Sequence, residues 1–311
     1  MMLETKKVLI TGVSGFIGRY VARYFTAQGW NVVGIDGSAP ENAPLSSLTA
    51  YHSLRMPSTE LGGIIASCAP TLCIHCAGRA AVGLSMTEPA ADFYGNTVMT
   101  FELLDTLRLN APSCRFIFLS SAAVYGNPHS LPIDEDHPTV PLSPYGFHKL
   151  QSEQLCQEFS KIYGLPTASM RIFSAYGPGL RRQVLWDICQ KAVLGKPVKL
   201  QGTGAESRDF VHALDIANAL MVVATSAPMS GEVYNLATGT EVKIVDLASL
   251  ALEAVDYQGS LDFDGVVPTG TPLNWRADIS KLVKLGFTPS IELNPGVKSF
   301  ANWCKAELLG I

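Results

Sequence analysis

The sequence predicts an α/β fold built on a doubly wound parallel sheet. Strand-like and helix-like segments alternate in the first half of the chain, as in Val8–Ile10 followed by Arg19–Ala27. The strand-like segments end in small residues, such as Gly12 after the first and Ser121 after Arg115–Leu119. This alternation is typical of parallel sheets, whose ligands bind beyond the carboxyl ends of the strands. We therefore expect the functional residues at that edge.

The composition narrows the class of protein. A chain of 311 residues can form one large or two modest domains with a substantial core. It carries a net charge of −4 without a basic patch, which argues against a nucleic-acid partner. No apolar run is long enough to span a bilayer, and no signal peptide precedes the first strand, so we expect a cytoplasmic protein without a membrane partner.

The cysteines do not indicate a disulfide framework, because there are seven of them, an odd number. Cys73 and Cys76 have the CxxC spacing that occurs in redox and zinc sites. They lie in the apolar run Thr71–Ala77, which predicts a buried strand whose positions three apart face opposite sides. A second CxxC pair that would complete a zinc site is missing from the sequence. We expect buried structural cysteines and no metal site.

A glycine-rich turn separates the first strand from the first helix. Gly12, Gly15 and Gly18 let the backbone approach a ligand closely, and the N-terminus of a helix attracts anionic charge. A strand, a glycine-rich turn and a helix in this order predict a cradle for the phosphates of a dinucleotide.

The second strand, Asn31–Ile35, ends at Asp36, eighteen residues after Gly18. A carboxylate in this place hydrogen-bonds both ribose hydroxyls of an adenosine and repels a 2′-phosphate, which favours NAD over NADP. No arginine follows closely, because the next residues are Gly37–Pro40. The alternative is a solvated aspartate in a loop.

A tyrosine and a lysine four residues apart, Tyr145 and Lys149, follow a helix-start signal. Ser143 is a candidate N-cap and Pro144 a candidate first helical residue, so both side chains lie on one face of the opening turns. A nearby ammonium lowers a phenol pKa from its usual value of about 10. Tyr145 is therefore a candidate general base. The spacing also occurs by chance on many helices, so the assignment depends on its neighbours.

Further elements are predicted along the rest of the chain. The predicted helices are Asp92–Leu109, Tyr145–Tyr163, Val184–Leu194, Asp215–Ala224, Val245–Val255 and Ile279–Leu285, and the predicted strands include Pro166–Ile172, Val198–Leu200 and Glu232–Leu236.

Several motifs in a fixed order resemble the extended short-chain dehydrogenase/reductase superfamily, and within it the nucleotide-sugar epimerase and reductase branch. The match covers nearly all of the chain. The motifs are Thr11–Gly18, His75–Ala77, Asn96, Ser121–Gly126, Tyr145 with Lys149, and Arg208–His212.

The resemblance implies a Rossmann-type NAD-binding domain over residues 1–173, with return segments around 208–240. A smaller, discontinuous α/β substrate domain would cover residues 174–311. The implied cofactor is NAD, and the implied assembly is a homodimer through the helices that match Asp92–Leu109 and Tyr145–Tyr163. The candidate cofactor-binding residues are Gly12, Ser14, Gly15, Phe16, Ile17, Gly18, Asp36, Ala77, Gly78, Asn96, Tyr145 and Lys149.

The resemblance also implies that Ser121, Tyr145 and Lys149 act together at a sugar hydroxyl. Tyr145 would exchange the proton, Ser121 would hydrogen-bond the same oxygen, and Lys149 would lower the tyrosine pKa and hold the nicotinamide ribose. The implied substrate is a nucleotide-diphosphate sugar. Its candidate contacts are Ser121, Ala122, Ser174, Arg181, Arg208 and Arg276.

Two of these arginine assignments have alternatives. Arg208 lies where relatives contact the diphosphate, a task suited to a forked guanidinium, and the alternative is a surface ion pair with Asp209 or Asp215. Arg181 and its neighbour Arg182 either line the same cleft or cap the following helix.

The chain departs from the family pattern at three places. Ser174 stands where many relatives have an asparagine, and Leu54–Met56 stands where an aspartate often meets the adenine. The second phosphate arginine expected near residues 267–270 is missing, and Arg276 is the candidate to replace it.

Ala122 and Ala123 bear on the reaction, because the 4,6-dehydratase branch has an acid and a base in their place. A dehydratase is therefore not expected. The leading hypothesis is an NAD-dependent nucleotide-sugar 4-epimerase that works through a transient 4-keto sugar. The alternative is an NAD(P)H-dependent 4-reductase of nucleotide 4-keto-6-deoxy sugars. The stretch Gly270–Pro272 ahead of Asp278 resembles the corresponding sequence of that group. A third hypothesis is a catalytically silent NAD-binding regulator.

Overall fold

A parallel sheet of seven strands forms the centre of the molecule, whose computed structural model describes residues 6–266 and 272–310. The strands are β1 (Lys7–Thr11), β2 (Asn31–Asp36), β3 (Ala50–Ser53), β4 (Leu72–His75), β5 (Arg115–Ser121), β6 (Thr167–Ile172) and β11 (Ser230–Leu236). They lie in the order β11-β6-β5-β4-β1-β2-β3, with every neighbouring pair parallel. The predicted doubly wound parallel sheet is confirmed.

Helices cover both faces of this sheet. They are α1 (Phe16–Ala27), α2 (Leu61–Cys68), α3 (Val82–Thr87), α4 (Pro89–Phe93), α5 (Met99–Asn110), α6 (Pro144–Tyr163) and α8 (Ala213–Ser226). A π-helical turn, Tyr94–Val98, joins α4 to α5, and single 3₁₀ turns occur at Pro40–Asn42, Leu45–Ser47 and Ala122–Val124.

The alternation of side chains along β1 shows how the sequence builds two cores. Val8 and Ile10 belong to the apolar core that α1 and α8 cover, whereas Leu9 belongs to the core on the opposite face, with Leu103 of α5 and Phe159 of α6. Consecutive strand residues point to opposite faces, so a strand that is apolar throughout is buried on both sides.

The rest of the chain forms a smaller region with its own core. Its helices are α7 (Gln183–Val193), α9 (Ile244–Ala254) and α11 (Leu293–Leu309). Its strands are β7 (Ser174–Tyr176), β8 (Val198–Leu200), β9 (Ser207–Arg208), β10 (Phe210–His212), β12 (Val242–Lys243) and β13 (Leu261–Phe263), paired as β10-β7, β12-β9 and β13-β8. Leu185, Leu247 and Phe300 lie at the centre of its core. The short helix α10 (Ser280–Val283) instead packs on β11 and adds Leu282 to the core that α1 and α8 cover.

The chain returns to the main sheet after first entering this smaller region. Helix α8 packs against α1, and β11 then pairs with the edge strand β6. Both elements fall within the return segment anticipated around residues 208–240. The exact division of the chain into two domains stays a prediction.

The structure differs from the predicted helices at two places in the C-terminal part. Only Ser280–Val283 of the predicted helix Ile279–Leu285 is helical. Helix α11 was not predicted, because Pro295 and Gly296 in its first turn are typical of a loop. Proline is tolerated in the first turn of a helix, where the backbone N–H has no intrahelical acceptor.

Residues 6–266 and 272–310 contain the seven cysteines of the chain. Cys73 on β4 is completely buried, and the cysteines are free thiols. Within these ranges no group of three or more histidine, cysteine, aspartate or glutamate side chains is arranged to hold a metal ion. None of the helices found there combines the length and apolar character that crossing a membrane requires.

A buried ion pair connects β6 to α6 behind the carboxyl edge of the sheet. The Arg171 guanidinium donates to both oxygens of Glu153, with an Nη2–Oε2 distance of 2.8 Å. Ser120 donates to the same carboxylate, and Arg171 donates to the Tyr125 hydroxyl at 2.8 Å. Each charge is satisfied only by its partners, so removing one member leaves the other charged and unpaired in the interior.

We predict that Glu153→Ala lowers the free energy of unfolding by about 3–5 kcal/mol, because it leaves Arg171 unpaired in the core. The matched control is Asp105→Ala, which breaks the half-exposed Arg108–Asp105 pair within α5. This control should cost at most about 1 kcal/mol. Urea unfolding of both variants measures the difference, and equal losses would contradict the assignment.

Candidate active site

The turn between β1 and α1 is shaped by glycines that touch backbone. Gly12 has a φ of +68°, and a Cβ added to it would lie 2.5 Å from the backbone nitrogen of Ala77. A Cβ on Gly18 would lie 2.2 Å from the Gly12 carbonyl oxygen, so Gly18 lets α1 pack on the turn. Helix α1 starts at Phe16 with Gly15 as its N-cap and no side-chain cap. Its first N–H groups are therefore available to an anion.

A cavity of about 260 Å³ opens beside this turn, and Gly12, Gly15, Asp36, Ala77 and Gly78 line it together. The Asp36 carboxylate accepts hydrogen bonds from the backbone N–H groups of Ser14 at 3.0 Å and Ser38 at 2.9 Å. These bonds fix its orientation and leave lone pairs for ribose hydroxyls. The Ser14 hydroxyl is buried without a hydrogen-bond partner among the described residues. These features fit the adenosine and diphosphate of a dinucleotide.

Three other residues of the predicted cofactor site lie outside this cavity. Ile17 lines a second, larger cleft described below, and Phe16 packs against the core of the smaller region. Gly18 contacts the Gly12 turn rather than the cavity. Their roles in cofactor binding stay predictions.

Asn96 lies in the π-helical turn between α4 and α5. Its amide nitrogen donates to the carbonyl oxygens of Arg79 at 3.2 Å and Asp92 at 3.1 Å, while its Oδ1 is buried without a partner among the described residues. A Cβ added to Gly78 would lie 2.8 Å from that Oδ1 and 3.6 Å from Lys149 Nζ. Asn96 and Lys149 therefore meet at the same point beside the cavity.

The opening turn of α6 carries the tyrosine and the lysine, and it is capped as predicted. The Ser143 hydroxyl accepts a hydrogen bond from the Gly146 N–H at 3.3 Å, and Pro144 is the first helical residue. Tyr145 and Lys149 are 8% and 6% exposed. Lys149 Nζ donates to the carbonyl oxygen of Leu119 at 2.9 Å and lies 5.9 Å from the centre of the Tyr145 ring.

Burial has the largest effect on the protonation of this pair. It raises the pKa of Tyr145 above its ordinary value, while the neighbouring Ser121 hydroxyl and the charge of Arg182 act in the opposite direction. Burial also lowers the pKa of Lys149 to about 8, and the carboxylate of Asp92 opposes this shift. The expected lowering of the tyrosine pKa by Lys149 stays a prediction.

A larger cleft of about 650 Å³ begins where the cofactor cavity ends, and Cys76 and Gly78 line both. Ser121, Tyr145 and Lys149 lie on its wall on the side of the sheet. Ser174 and Arg208 lie on its wall on the side of the smaller region. The cleft therefore brings the predicted catalytic residues together with two of the predicted substrate contacts.

Arg208 has an unusual environment for an arginine. Its Nη1 donates to the carbonyl oxygens of Ser207 at 2.6 Å and Leu273 at 3.0 Å, and its guanidinium lies over the Trp275 ring at 5.4 Å. Burial lowers its pKa to about 10, against the charge of Glu206. Among the described residues no carboxylate forms an ion pair with it, so the guanidinium is available to a phosphate.

Three predicted substrate contacts lie outside the cleft. Arg181 pairs with Glu307 at 2.6 Å on the surface, and the side chain of Ala122 is completely buried in the core. The side chain of Arg276 is exposed and does not line the cleft. The segment 267–271, which includes the position of the missing second arginine and most of Gly270–Pro272, lies outside the described residues.

Further residues line the cleft. Arg182, for which lining the cleft was one of two predicted roles, and Ala123 lie in the wall near Tyr145, and Trp275, which no sequence pattern indicated, lies in the opposite wall. A pair that was not predicted, the buried Asp92 with the largely buried His148 at 2.6 Å, lies behind Lys149. Asp92 and His148 are 56 positions apart, so no local pattern connects them, although His148 directly precedes Lys149 in the catalytic motif.

We predict that Gly12→Ala weakens dinucleotide binding at least about tenfold, or 1.4 kcal/mol, because the added methyl group collides with the backbone of Ala77. Gly29→Ala is the matched control, since Gly29 has a similar φ of +78° but nothing within 4 Å of the added Cβ. It should cost about 1–2 kcal/mol of stability and leave binding unchanged. Titration with NADH, followed by fluorescence, measures binding. Equal affinities of the two variants would contradict the cradle.

The chain was compared with known proteins. Residues 8–237 match the family model of the NAD dependent epimerase/dehydratase family. A putative UDP-glucose 4-epimerase of Methanocaldococcus jannaschii is 28% identical over 96% of this chain and 98% of its own length. The dTDP-glucose 4,6-dehydratase of Salmonella typhimurium is 29% identical over 96% of this chain and 92% of its own length. Overall identity therefore does not distinguish the reactions within this group.

Solved structures agree with this placement. The UDP-glucuronic acid 4-epimerase from Bacillus cereus, solved with UDP-glucuronic acid and NAD, superposes with a TM-score of 0.89 and 26% identity, over 97% of this chain and 99% of the other. The resemblance to the extended short-chain dehydrogenase/reductases is confirmed, and the cofactor is NAD. This chain belongs to the NAD-dependent epimerase/dehydratase family.

Proposed function

We propose that this protein is a nucleotide-sugar 4-epimerase that keeps its NAD bound through the reaction. The proposal rests on the positions of Ser121, Tyr145 and Lys149, which together line the larger cleft. This cleft joins the cofactor cavity at Cys76 and Gly78. The alanines at positions 122 and 123 support it further, because neither can transfer a proton in a dehydration.

The chain's own residues have distinct roles in this proposal. Bound NAD supplies a reversible hydride acceptor next to the sugar. Tyr145, acting as the phenolate, takes the proton of the sugar C4 hydroxyl and becomes a neutral phenol as the C4 hydrogen leaves as hydride; it returns this proton to the 4-keto oxygen when the hydride comes back. Ser121 hydrogen-bonds the same oxygen. Lys149, held on the Leu119 carbonyl, places a positive charge beside the phenolate before and after this exchange, which favours the deprotonated form against the effect of burial.

The larger cleft supports a nucleotide-diphosphate sugar as the substrate. Arg208 offers the diphosphate a guanidinium that pairs with no carboxylate in the described part of the chain, and Trp275 offers an aromatic face beside it. Ser174 contributes a hydroxyl to the same wall. Relatives that act on UDP sugars, such as the UDP-glucuronate 4-epimerase of Thermodesulfobacterium geofontis, 27% identical, favour a UDP-hexose or UDP-hexuronate.

A turnover assay without added cofactor distinguishes the epimerase from a 4-ketoreductase. We predict that the purified protein interconverts a UDP-hexose or UDP-hexuronate with its C4 epimer, because the hydride returns to the same sugar. NMR spectroscopy of the sugar measures the product. Mass analysis of nucleotides released by denaturation identifies what the protein holds. Stoichiometric consumption of NAD(P)H with a nucleotide 4-keto sugar, without epimerisation, would refute the proposal.

We predict that Tyr145→Phe lowers kcat by about 10²–10⁴-fold, because the proton can no longer be exchanged at C4. Tyr257→Phe is the control, since Tyr257 lies in the smaller region, outside the cleft and away from α6. The Tyr145→Phe variant should bind NADH as the wild type does. Turnover equal to that of the wild type would overturn the catalytic assignment of Tyr145. A wild type that binds NADH without any turnover would favour the silent NAD-binding regulator instead.

We also propose a homodimer formed by the helices beside the active site. Large apolar side chains are exposed on α3, α4, α5 and α6 and on the turn between α4 and α5. They are Leu84, Met86, Phe93, Tyr94, Phe101, Leu109, Phe147, Ile162 and Tyr163. These helices pack against one another, and a group of exposed apolar side chains on neighbouring helices is typical of a protein interface.

We predict a mass near twice the 33.4 kDa of one chain by light scattering at working concentration. Ile162→Glu should produce a monomer, because it puts a charge into the apolar face. Val266→Glu is the matched control, since both side chains are β-branched and 65% exposed, and Val266 lies in the smaller region. A monomeric wild type, or dissociation by both variants alike, would contradict the proposed interface.

A further inference from the structure

The outer end of the cofactor cavity contains an arginine that the mechanism does not use. Arg55 follows β3 and lines the cavity next to Leu54 and Met56, on the far side of Asp36 from the Gly12 turn. We propose that Arg55 recognises the base of NAD by donating hydrogen bonds from its guanidinium to the edge of the base.

The order of the strands places the base at this end. The glycine-rich turn that receives the phosphates follows β1, and Asp36, which receives the ribose, ends β2. The next strand outward is β3, paired with β2 so that Ser53 lies opposite Asp36. The Leu54 N–H donates to the Asp36 carbonyl oxygen at 2.8 Å, which fixes the segment after β3 beside the ribose site. The base of the same dinucleotide therefore reaches Leu54–Met56.

The side chains here suit a flat aromatic ring with a polar edge. Leu54, Met56 and Met99 supply apolar and polarizable surface for the faces of the ring. The Arg55 side chain is exposed, and its Nε lies 3.8 Å from the position of a Cβ added to Gly37. The guanidinium thus lies over Gly37 at the open rim of the cavity, where the edge of a bound base arrives.

The charges at this end leave Arg55 available to the ligand. No carboxylate of the described residues forms an ion pair with it. Among the described residues that line the cavity, Asp36 alone carries a carboxylate, and both of its oxygens accept backbone hydrogen bonds. A guanidinium has donors and no acceptor, so it recognises acceptor atoms on the base.

This chemistry makes a specific prediction about the base. Adenine presents the N7 acceptor beside the N6 amino group, which is a donor. An arginine can therefore donate one hydrogen bond to N7, while its second N–H faces the N6 amino group and finds no acceptor there. Hypoxanthine replaces the amino group by an oxygen and presents two adjacent acceptors. That pair is the same as the O6 and N7 of guanine, which arginine binds with both arms of its fork.

The test compares NAD with nicotinamide hypoxanthine dinucleotide. Each displaces NADH from the full-length protein, and the loss of NADH fluorescence gives its affinity without any turnover. We expect the hypoxanthine dinucleotide to bind about tenfold more tightly than NAD, from one additional charge-assisted hydrogen bond. Equal affinities, or tighter binding of NAD, would overturn the proposal.

Substitutions connect the preference to this side chain. Arg55→Ala should abolish the preference and weaken both dinucleotides, whereas Arg55→Asp should reverse it, because a carboxylate accepts from the N6 amino group. Arg23→Ala is the matched control, since Arg23 is exposed on α1 away from the cavity and its loss changes the net charge equally. An unchanged preference in Arg55→Ala would overturn the proposal. So would wild-type binding of NADP as tight as that of NAD and lost in Arg55→Ala, since it would assign Arg55 to a 2′-phosphate.

Discussion

The parallel pairing of β1 with β4 is the constraint on which the rest of the site depends. It brings the Gly12 turn against the backbone of Ala77, at a distance that leaves no room for a side chain. Just below the turn, the Thr11 hydroxyl lies 2.6 Å from Nδ1 of the completely buried His75, whose pKa burial lowers to about 3. A neutral imidazole can share this hydrogen bond without a buried charge, so the two strand ends stay together at ordinary pH.

The other half of the site depends on how α6 is held against the sheet. The capped first turn places Tyr145 and Lys149 at the edge, and the Glu153–Arg171 pair attaches the next turn of the same helix to β6. Ser120 donates to Glu153, while its neighbour Ser121 lines the cleft. The serine and the tyrosine of the proposed mechanism therefore both adjoin one buried network, whose member Ser120 also lines the cleft.

The sheet, the cradle and the Tyr145–Lys149 turn could be predicted because each has a local pattern: apolar runs, glycine spacing, and a serine–proline helix start. Arg181 and Arg182 show where such patterns fail. They are adjacent in sequence, yet Arg181 pairs with Glu307 on the surface, whereas Arg182 lines the cleft. Trp275 and the Asp92–His148 pair depend on contacts between distant segments. The raised pKa of Tyr145 follows from burial, which spacing alone does not reveal.

Gly78 lies where the cofactor cavity meets the larger cleft. It lines both, has a φ of +147°, and leaves an opening bordered by Asn96 Oδ1 and Lys149 Nζ. A larger residue here would narrow the opening through which a bound dinucleotide extends from the cavity into the cleft, so that the nicotinamide could not lie against the sugar. The absence of a side chain at this one position therefore lets the two binding spaces share a single cofactor.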